Sequence, residues 1–587
     1  MTPLVLDFET RYGGDYTLKK MAQSDYIADK RFRALGFSLK RGDEPAVWFG
    51  EHQVEPALAK LKPLLEQSTV LFHHAHFDAA ILAWHYDIYP RFHLDTMLMA
   101  RALGHRKVSL AALLEHFNLG EKTELTPDST PEQLRERGNV DTEKTWQLFK
   151  KLAPGFPLDE LKLIDLTVRW FTEPRLIVNR AKLAALIKRI EAKNENMLAA
   201  LDITEEQLQS ADQFRELLEN EGVEIQHKPG KKGPIPCFAK TDEFMKELLD
   251  DENETVSALA AARLGLKSTG ELTRAQRLYD MGARGPLPVY LSYYGAHPGR
   301  WSGGDSTNLQ NLKRGGAIRG ALEAPPGFKI VVGDLEQIEC RGTAWLARCE
   351  RLLNGFRSQQ DVYSEFATQA FGIQVTKATH EFERFCGKFV VLGGGYGMGA
   401  PKCFAQIRAE IRKRALAYTP PSIEVCETLI DTYRNRFSQI PDLWQECRYR
   451  MLGNPGYRVG PVVAESNALR LPNGLRLHYP GLRKTAEGWQ YEGKKGLTRL
   501  WGGKVVQNIM EALCRLILAG QMLRLDAMGY KIVTSTHDEI VLLVADEGVE
   551  QAVRAMKHVM STVLPEWAAG IPLSVEIGVG QSYGDAK

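Results

Sequence analysis

Thr536-His537-Asp538-Glu539, set between the apolar runs Lys531-Ile532-Val533 and Ile540-Val541-Leu542-Leu543-Val544, decides how this 587-residue chain is read. Two strand-like runs around a short polar reversal predict a hairpin that carries adjacent carboxylates at its tip. Acids so placed can hold a hard metal ion, which takes oxygen ligands. A partner carboxylate is needed from elsewhere. Asp334 supplies one, at the end of the run Phe328-Lys329-Ile330-Val331-Val332-Gly333 and ahead of Leu335-Glu336-Gln337-Ile338-Glu339-Cys340-Arg341. Alone, Asp334 reads as a strand-end or turn acid; beside Asp538 it reads as a second metal ligand.

Between these acids the stretch from Thr379 to Leu392 has helical composition, with Arg384 and Lys388 four residues apart. That spacing brings both side chains out of one helix face about 6 Å apart, which suits a triphosphate. The alternative is two solvated bases on a surface helix. Gly393-Gly394-Gly395 lacks the Gly-Lys-Ser/Thr that would complete a phosphate loop, so a closely packed helix end is expected there.

With 44% hydrophobic and 25% charged residues the chain is ordinary globular material, long enough for three or four domains. The formal net charge of +2 does not mark a nucleic-acid binder, so any basic groove must be local. Eight cysteines without C-x-x-C spacing argue against zinc or a disulfide framework and for reduced thiols. Asp7 and Glu9 interrupt any signal-like apolar segment, and no apolar run approaches ~18 residues. A soluble, cytoplasmic protein with no membrane partner is expected.

Leu4-Val5-Leu6 reads as a strand ending in Asp7, and Thr69-Val70-Leu71-Phe72 as another ending in His73-His74-Ala75-His76-Phe77-Asp78. Leu110 to Phe117 has helical spacing behind a possible Ser109 cap, and Asp141 opens an apparent helix through Trp146. From Pro157 long amphipathic helices take over, the clearest being Asn179 to Leu201, where Leu183, Leu186, Ile187 and Ile190 share a face. His227-Lys228-Pro229-Gly230-Lys231-Lys232-Gly233-Pro234 is turn-rich and basic, either a phosphate contact or a solvated loop.

These motifs resemble family A DNA polymerases of the short bacteriophage type. The likeness extends through Tyr294-Gly295-Ala296-His297-Pro298-Gly299-Arg300-Trp301-Ser302-Gly303, Asn308-Leu309-Gln310-Asn311, Leu471-Pro472-Asn473-Gly474, His478-Tyr479-Pro480 and the closing Val579 to Lys587. The implied fold is α/β and multidomain. An RNase H-like 3′-5′ exonuclease domain (1–155) is followed by a helical connector and thumb (156–290), palm (291–345), fingers and insertions (346–500) and second palm part (501–587). No 5′ nuclease is expected ahead of Asp7. The resemblance implies catalytic Asp334, Asp538, Glu539 and Lys388, with two Mg²⁺ on Asp334 and Asp538. It implies nucleotide contacts from Arg384, Lys388, Tyr396, Glu339 and Leu392, with Glu339 excluding a ribose 2′-hydroxyl. Arg300, Gln310 and His537 would touch DNA, the first two at the minor groove, whose acceptors are nearly alike for all correct pairs. Primer-template DNA and dNTPs are the implied partners of a monomer; a processivity factor is left open. Glu336 and Glu511 stand where relatives carry a small polar residue and glutamine, and their charge would tune base or template contacts.

Asp7, Glu9, Asp78 and Asp141 resemble the acids of the exonuclease domain, where Mg²⁺ or Mn²⁺ would activate water for phosphodiester hydrolysis. The family's water-orienting tyrosine, or a histidine one position earlier, is replaced by Arg137 and Glu136, and its asparagine by His74. Misplaced water slows hydrolysis by orders of magnitude while metals stay bound. Two alternatives stand beside a proofreading polymerase: a DNA-binding 3′-5′ exonuclease with a non-catalytic second half, and a repair or bypass polymerase of the same family.

Overall fold

The computed structural model describes residues 2–586 apart from 123–125, 231–232, 240–241, 250, 252, 268–269, 415 and 495. Lys231, Lys232 and Lys587, all in stretches singled out above, lie outside the described residues.

The first unit is a five-stranded sheet of β1 (Leu4–Thr10), β2 (Ala34–Arg41), β3 (Val47–Gly50), β4 (Thr69–Phe72) and β5 (Phe92–Asp95), in the order β3-β2-β1-β4-β5. β1, β2 and β3 pair antiparallel, whereas β1, β4 and β5 run parallel, which is the RNase H-like arrangement. Helices α1 (Ala75–Tyr86), α2 (Pro131–Leu152) and α3 (Leu158–Thr172) pack on it. Two expectations are corrected here. β1 does not end at Asp7, because buried Phe8 carries the strand on to Thr10; Asp7 and Glu9, two apart, then project from one face. Nor does Asp141 open a helix: α2 starts ten residues earlier, where Thr130 and Gln133 form a capping box around Pro131. Asp141 therefore sits in mid-helix. Gly138 lets that helix lie close, since a Cβ there would stand 2.6 Å from the Trp48 ring on β3.

α4 (Arg180–Leu201) follows, its first turn capped by Asn179, whose Oδ1 accepts from Lys182 N at 3.0 Å. Leu183 and Leu186 are buried, with Ile187 and Ile190 packed beside them. The basic stretch is a hairpin and not a loop: His227–Gly230 pairs antiparallel with Gly233–Pro236, and Lys228 is held by Asp242. Leu208, Phe214, Phe238, Phe244 and Val256 give this arm an apolar cluster of its own.

The second unit is built on β6 (Phe328–Leu335), followed in sequence by α5 (Ile338–Leu346), α6 (Val362–Phe371), α7 (Glu381–Gly394) and α8 (Gly502–Ala527). Then come β7 (Lys531–Thr536), β8 (Glu539–Ala545) and β9 (Val575–Gly580). The strands form an antiparallel sheet in the order β7-β8-β6-β9. Helix Val549–Thr562 packs so tightly on β6 that a Cβ at Gly333 would lie 2.5 Å from Met560 Sδ. Among the described residues, α5 to α7 and the helices to Ile440 enclose a separate apolar cluster, including Leu352, Phe366, Val390, Cys426 and Tyr433. Leu452, Val459, Leu469, Leu477 and Leu500 belong instead to the large cluster shared by both sheets. All eight cysteines are free thiols, and no described helix is long and apolar enough to cross a membrane.

Candidate active sites

β8 and β7 meet in a tight hairpin with Thr536 opposite Glu539, leaving His537 and Asp538 at the tip. His537 is exposed and left-handed, with φ of 52°, a conformation that costs a non-glycine residue energy and tends to collect at functional sites. On the other side of β8, Asp334 stands opposite Glu539, and Leu335 N donates to the Asp538 carbonyl at 3.1 Å. Asp334 is thus brought to the same end of the sheet as Asp538 and Glu539 although about two hundred residues separate it from them in sequence.

Arginines bind this acidic end together. Arg314 pairs with Asp334 and reaches Glu539 at 3.2 Å. Arg319, almost wholly buried, holds the other Glu539 oxygen at 2.9 Å, and the Tyr583 hydroxyl donates to that oxygen at 2.7 Å. Arg300 pairs with Glu339 and lies 3.6 Å from Asp538 and 3.9 Å from Glu511. Tyr396 donates to the remaining Glu339 oxygen. Burial pushes the Asp538 carboxyl up to about 7; Arg300 opposes the rise, and the negative charges of Glu339, Asp334 and Glu539 add to it. A carboxylate gathered with other acids in this way is one a divalent cation would stabilise.

α7 stands beside this end through Tyr396, two residues beyond its last glycine. Lys388 is exposed, with Nζ 5.9 Å from the Tyr363 ring centre. The Arg384 guanidinium lies on Asp361, the cap of α6, donating from Nε at 2.6 Å and Nη2 at 3.2 Å. Leu392 is 38% exposed on the same helix, whereas Gln310 is half-buried in the turn Leu309–Asn311.

In the first unit Asp7, Glu9 and Asp141 each offer an oxygen within 4.8 Å of the others. Oδ1 of Asp141 is buried with no hydrogen-bond partner, the state expected of an atom whose partner is a cation. Asp78, in the first turn of α1, accepts from Phe8 N at 3.0 Å and adjoins the trio without joining it. Burial, with the neighbouring acids, raises Asp7 well above the usual carboxylate range. It raises Glu9 to about 7 against the pull of Arg137, and Asp78 to about 8 against the Phe8 hydrogen bond. The donor set therefore fits a hard divalent ion. Two cations line its edge: Arg137 Nε is 3.1 Å from Glu9 and 3.4 Å from Asp141, and Lys122 Nζ is 2.7 Å from Asp141.

A family model described as DNA polymerase family A matches residues 178–458, and one described as 3′-5′ exonuclease matches residues 22–137. The chain belongs to the family A DNA polymerases. It is 29% identical to DNA polymerase I of Pseudomonas aeruginosa over 311 residues, 51% of this chain and 30% of the relative. The DNA polymerase of Bacillus phage SP02 is 28% identical over 413 residues, covering 58% of this chain and 62% of the relative. DNA polymerase I of Chloroflexus aurantiacus is 25% identical over 548 residues, 87% of this chain and 54% of the relative. The chain thus spans less than two thirds of these curated relatives. The fold matches the polymerase domain of Pol1 from M. smegmatis, solved in complex with DNA primer-template and dNTP, with a TM-score of 0.71 at 18% identity over 100% of this chain and 96% of that one.

Within the family A frame, several residues that hold the sites went unread in the sequence. Arg314, Arg319 and Lys122 are lone bases whose partners become visible only in three dimensions. Asp95 had a local signal: an acid directly before a helix is a favoured cap. It accepts from Met97 and Leu98, capping helix Thr96–Ala102, and also from His74 and Ala75, which fixes the entry into α1 and so the height of Asp78. The two acids that depart from the family pattern are tied to protein groups. Glu336 accepts from Ser574 Oγ, and Glu511 lies between Gln507 and Arg300.

Proposed function

We propose that this chain is a template-directed DNA polymerase that adds deoxynucleotides to a primer 3′-hydroxyl, with a 3′-5′ exonuclease in its first unit. The observation that carries the reading is the convergence of Asp334 and Asp538 at one sheet end, linked through Arg300, Glu339 and Tyr396 to the helix bearing Arg384 and Lys388. Asp334 and Asp538 would hold Mg²⁺, which supplies charge neutralisation and alignment for phosphoryl transfer. Arg384 and Lys388 would bind the triphosphate, Lys388 towards the reacting end and Arg384 beyond it. Glu339, fixed through both oxygens, would close the space over the sugar. Glu539 would brace the acids from its buried pairs, while Arg300, Gln310 and His537 would meet the duplex and Leu392 the nascent base pair. We assign the palm to the β6–β9 sheet, the fingers to the separately packed helices around α7 and the thumb to the arm beyond α4.

Asp7, Glu9, Asp78 and Asp141 would hold Mg²⁺ or Mn²⁺ for hydrolysis of a mispaired 3′ end. A cleft of about 490 Å³ between the two units supports a route for a frayed strand. Arg101, Arg106, Arg476 and Lys494 line it with His105 and Tyr491, and among the described residues no acid does; cations interleaved with rings are what single strands bind.

The test is extension of a labelled primer-template with Mg²⁺ and dNTPs, comparing the chain with Asp334→Ala. Template-coded elongation lost in the variant supports the reading; no elongation by the unaltered chain rejects it. Shortening of a primer with a mismatched 3′ end, without nucleotides and against Asp7→Ala, tests the nuclease separately.

A further inference from the structure

At the nuclease centre the family's water-orienting tyrosine position is held by Arg137, and this side chain is engaged with the acids. Its Nε bridges Glu9 and Asp141, two of the three carboxylates that can share an ion, at 3.1 and 3.4 Å. Lys122 takes Oδ2 of Asp141 at 2.7 Å, leaving Oδ1 as the buried oxygen without a hydrogen bond. These are sheltered pairs: the Asp141 side chain is 2% exposed, that of Glu9 11% and that of Arg137 19%. Solvent screening, which makes surface pairs nearly worthless, is weak here.

Asp7, Glu9, Asp78 and Asp141 carry at most four negative charges, and Arg137 with Lys122 returns two positive ones. Among these six groups, one divalent ion completes neutrality. A second would leave two uncompensated positive charges in a largely buried site, and one phosphodiester of a bound strand removes only one of them. An arginine fork is also a preferred partner for phosphate oxygens.

We propose that Arg137 stands in for one of the two metal ions at this centre: the nuclease loads a single divalent ion, and Arg137 with Lys122 supplies the remaining positive charge that faces the phosphodiester. This rests on the nuclease reading above for its purpose, but the ion count can be measured without hydrolysis. The lone-ion centre is set by the guanidinium, so replacing Arg137 by the family's tyrosine opens room for a second ion.

The experiment counts Mn²⁺ bound to the full chain by electron paramagnetic resonance, with Asp334→Asn and Asp538→Asn introduced to empty the polymerase centre. One ion is expected in that background, one with Arg137→Lys, two with Arg137→Tyr or Arg137→Gln, and none with Asp7→Ala, which locates the signal. Two ions before Arg137 is altered, one ion after Arg137→Tyr and Arg137→Gln, or no ion in the background would each overturn the proposal. The two neutral variants guard against one of them failing to fold. Primer shortening is recorded in parallel with Asp334 and Asp538 intact. Its absence together with the expected ion counts would reject the nuclease reading and leave the single-ion centre standing.

Discussion

Tyr396 donates a hydrogen bond of 2.8 Å to Oε2 of Glu339, while Arg300 occupies the other oxygen of the same carboxylate. The pair joins the end of α7 to the first turn of α5 and holds the Glu339 carboxylate at both oxygens, so in its proposed role over the sugar it would not swing aside for a larger one. Removing it should relax sugar choice. Glu339→Ala is expected to raise incorporation of ribonucleotides relative to deoxynucleotides by roughly 10- to 100-fold, the range one lost steric contact produces. Single-nucleotide insertion with dNTP and rNTP measures the ratio, and an unchanged ratio would remove Glu339 from the sugar.

Arg384 presents a different situation, because its guanidinium is already taken by Asp361, the cap of α6. In the proposed role of Arg384 a triphosphate would have to compete for it. Both partners are partly exposed, so the pair is worth about 1 kcal/mol, or about 5-fold in an equilibrium. Asp361→Asn retains a capping side chain and weakens the hold, so KM for dNTP is expected to fall about 5-fold with kcat unchanged. A rise in KM would instead mean that Asp361 positions Arg384 for the nucleotide.

What the sequence disclosed follows from how local each signal is. The hairpin around Asp538, the cap at Ser109 and the helix ending in Gly393-Gly394 depend on neighbours within a few residues, and each was legible. The extent of β1 past Asp7 depends on Phe8 being buried by other elements, and the true start of α2 was hidden by a polar first half whose cap lies at Thr130. Arg300 was read as a minor-groove contact from its motif; its pairing with Glu339 and approach to Asp538 depend on segments dozens to hundreds of residues away. Ion pairs made across such distances carry no periodicity, which is why Arg314, Arg319 and Lys122 stayed silent.

Asp165 on α3 fastens that helix to β5 and gives a pH test. Burial alone would raise its carboxyl, but hydrogen bonds from His93 and Arg169 outweigh that and hold it below the usual carboxylate range. A folded value below the unfolded value of about 3.9 adds stability that is complete above that value and drains away as pH falls through the folded one. Asp165→Asn is therefore expected to cost about 3 kcal/mol near neutrality, with the difference from the parent shrinking below about pH 4. Urea midpoints of both proteins across pH 3 to 7 check the sign; a gap that widens in acid would contradict it.

A buried ion pair lies at the joint between the two units. Glu160 on α3 meets Arg515 on α8, and also accepts from Tyr293 and, at 2.8 Å, from Asn473. The Arg515 guanidinium lies 4.9 Å from the Tyr294 ring centre and 4.6 Å from that of Trp301, next to Arg300 in sequence. Removing one charge strands the other in the interior, at a cost of about 3–5 kcal/mol, whereas replacing both with apolar groups can be nearly neutral. Glu160→Leu should thus destabilise strongly, and adding Arg515→Met should recover most of the loss, giving a coupling energy in a double-mutant cycle. Because Arg515 also supports the segment that presents Arg300 to Glu339 and Asp538, the double variant is expected to regain stability without regaining full extension rate. Recovery of both together would show that the pair only fastens the units and does not position Arg300.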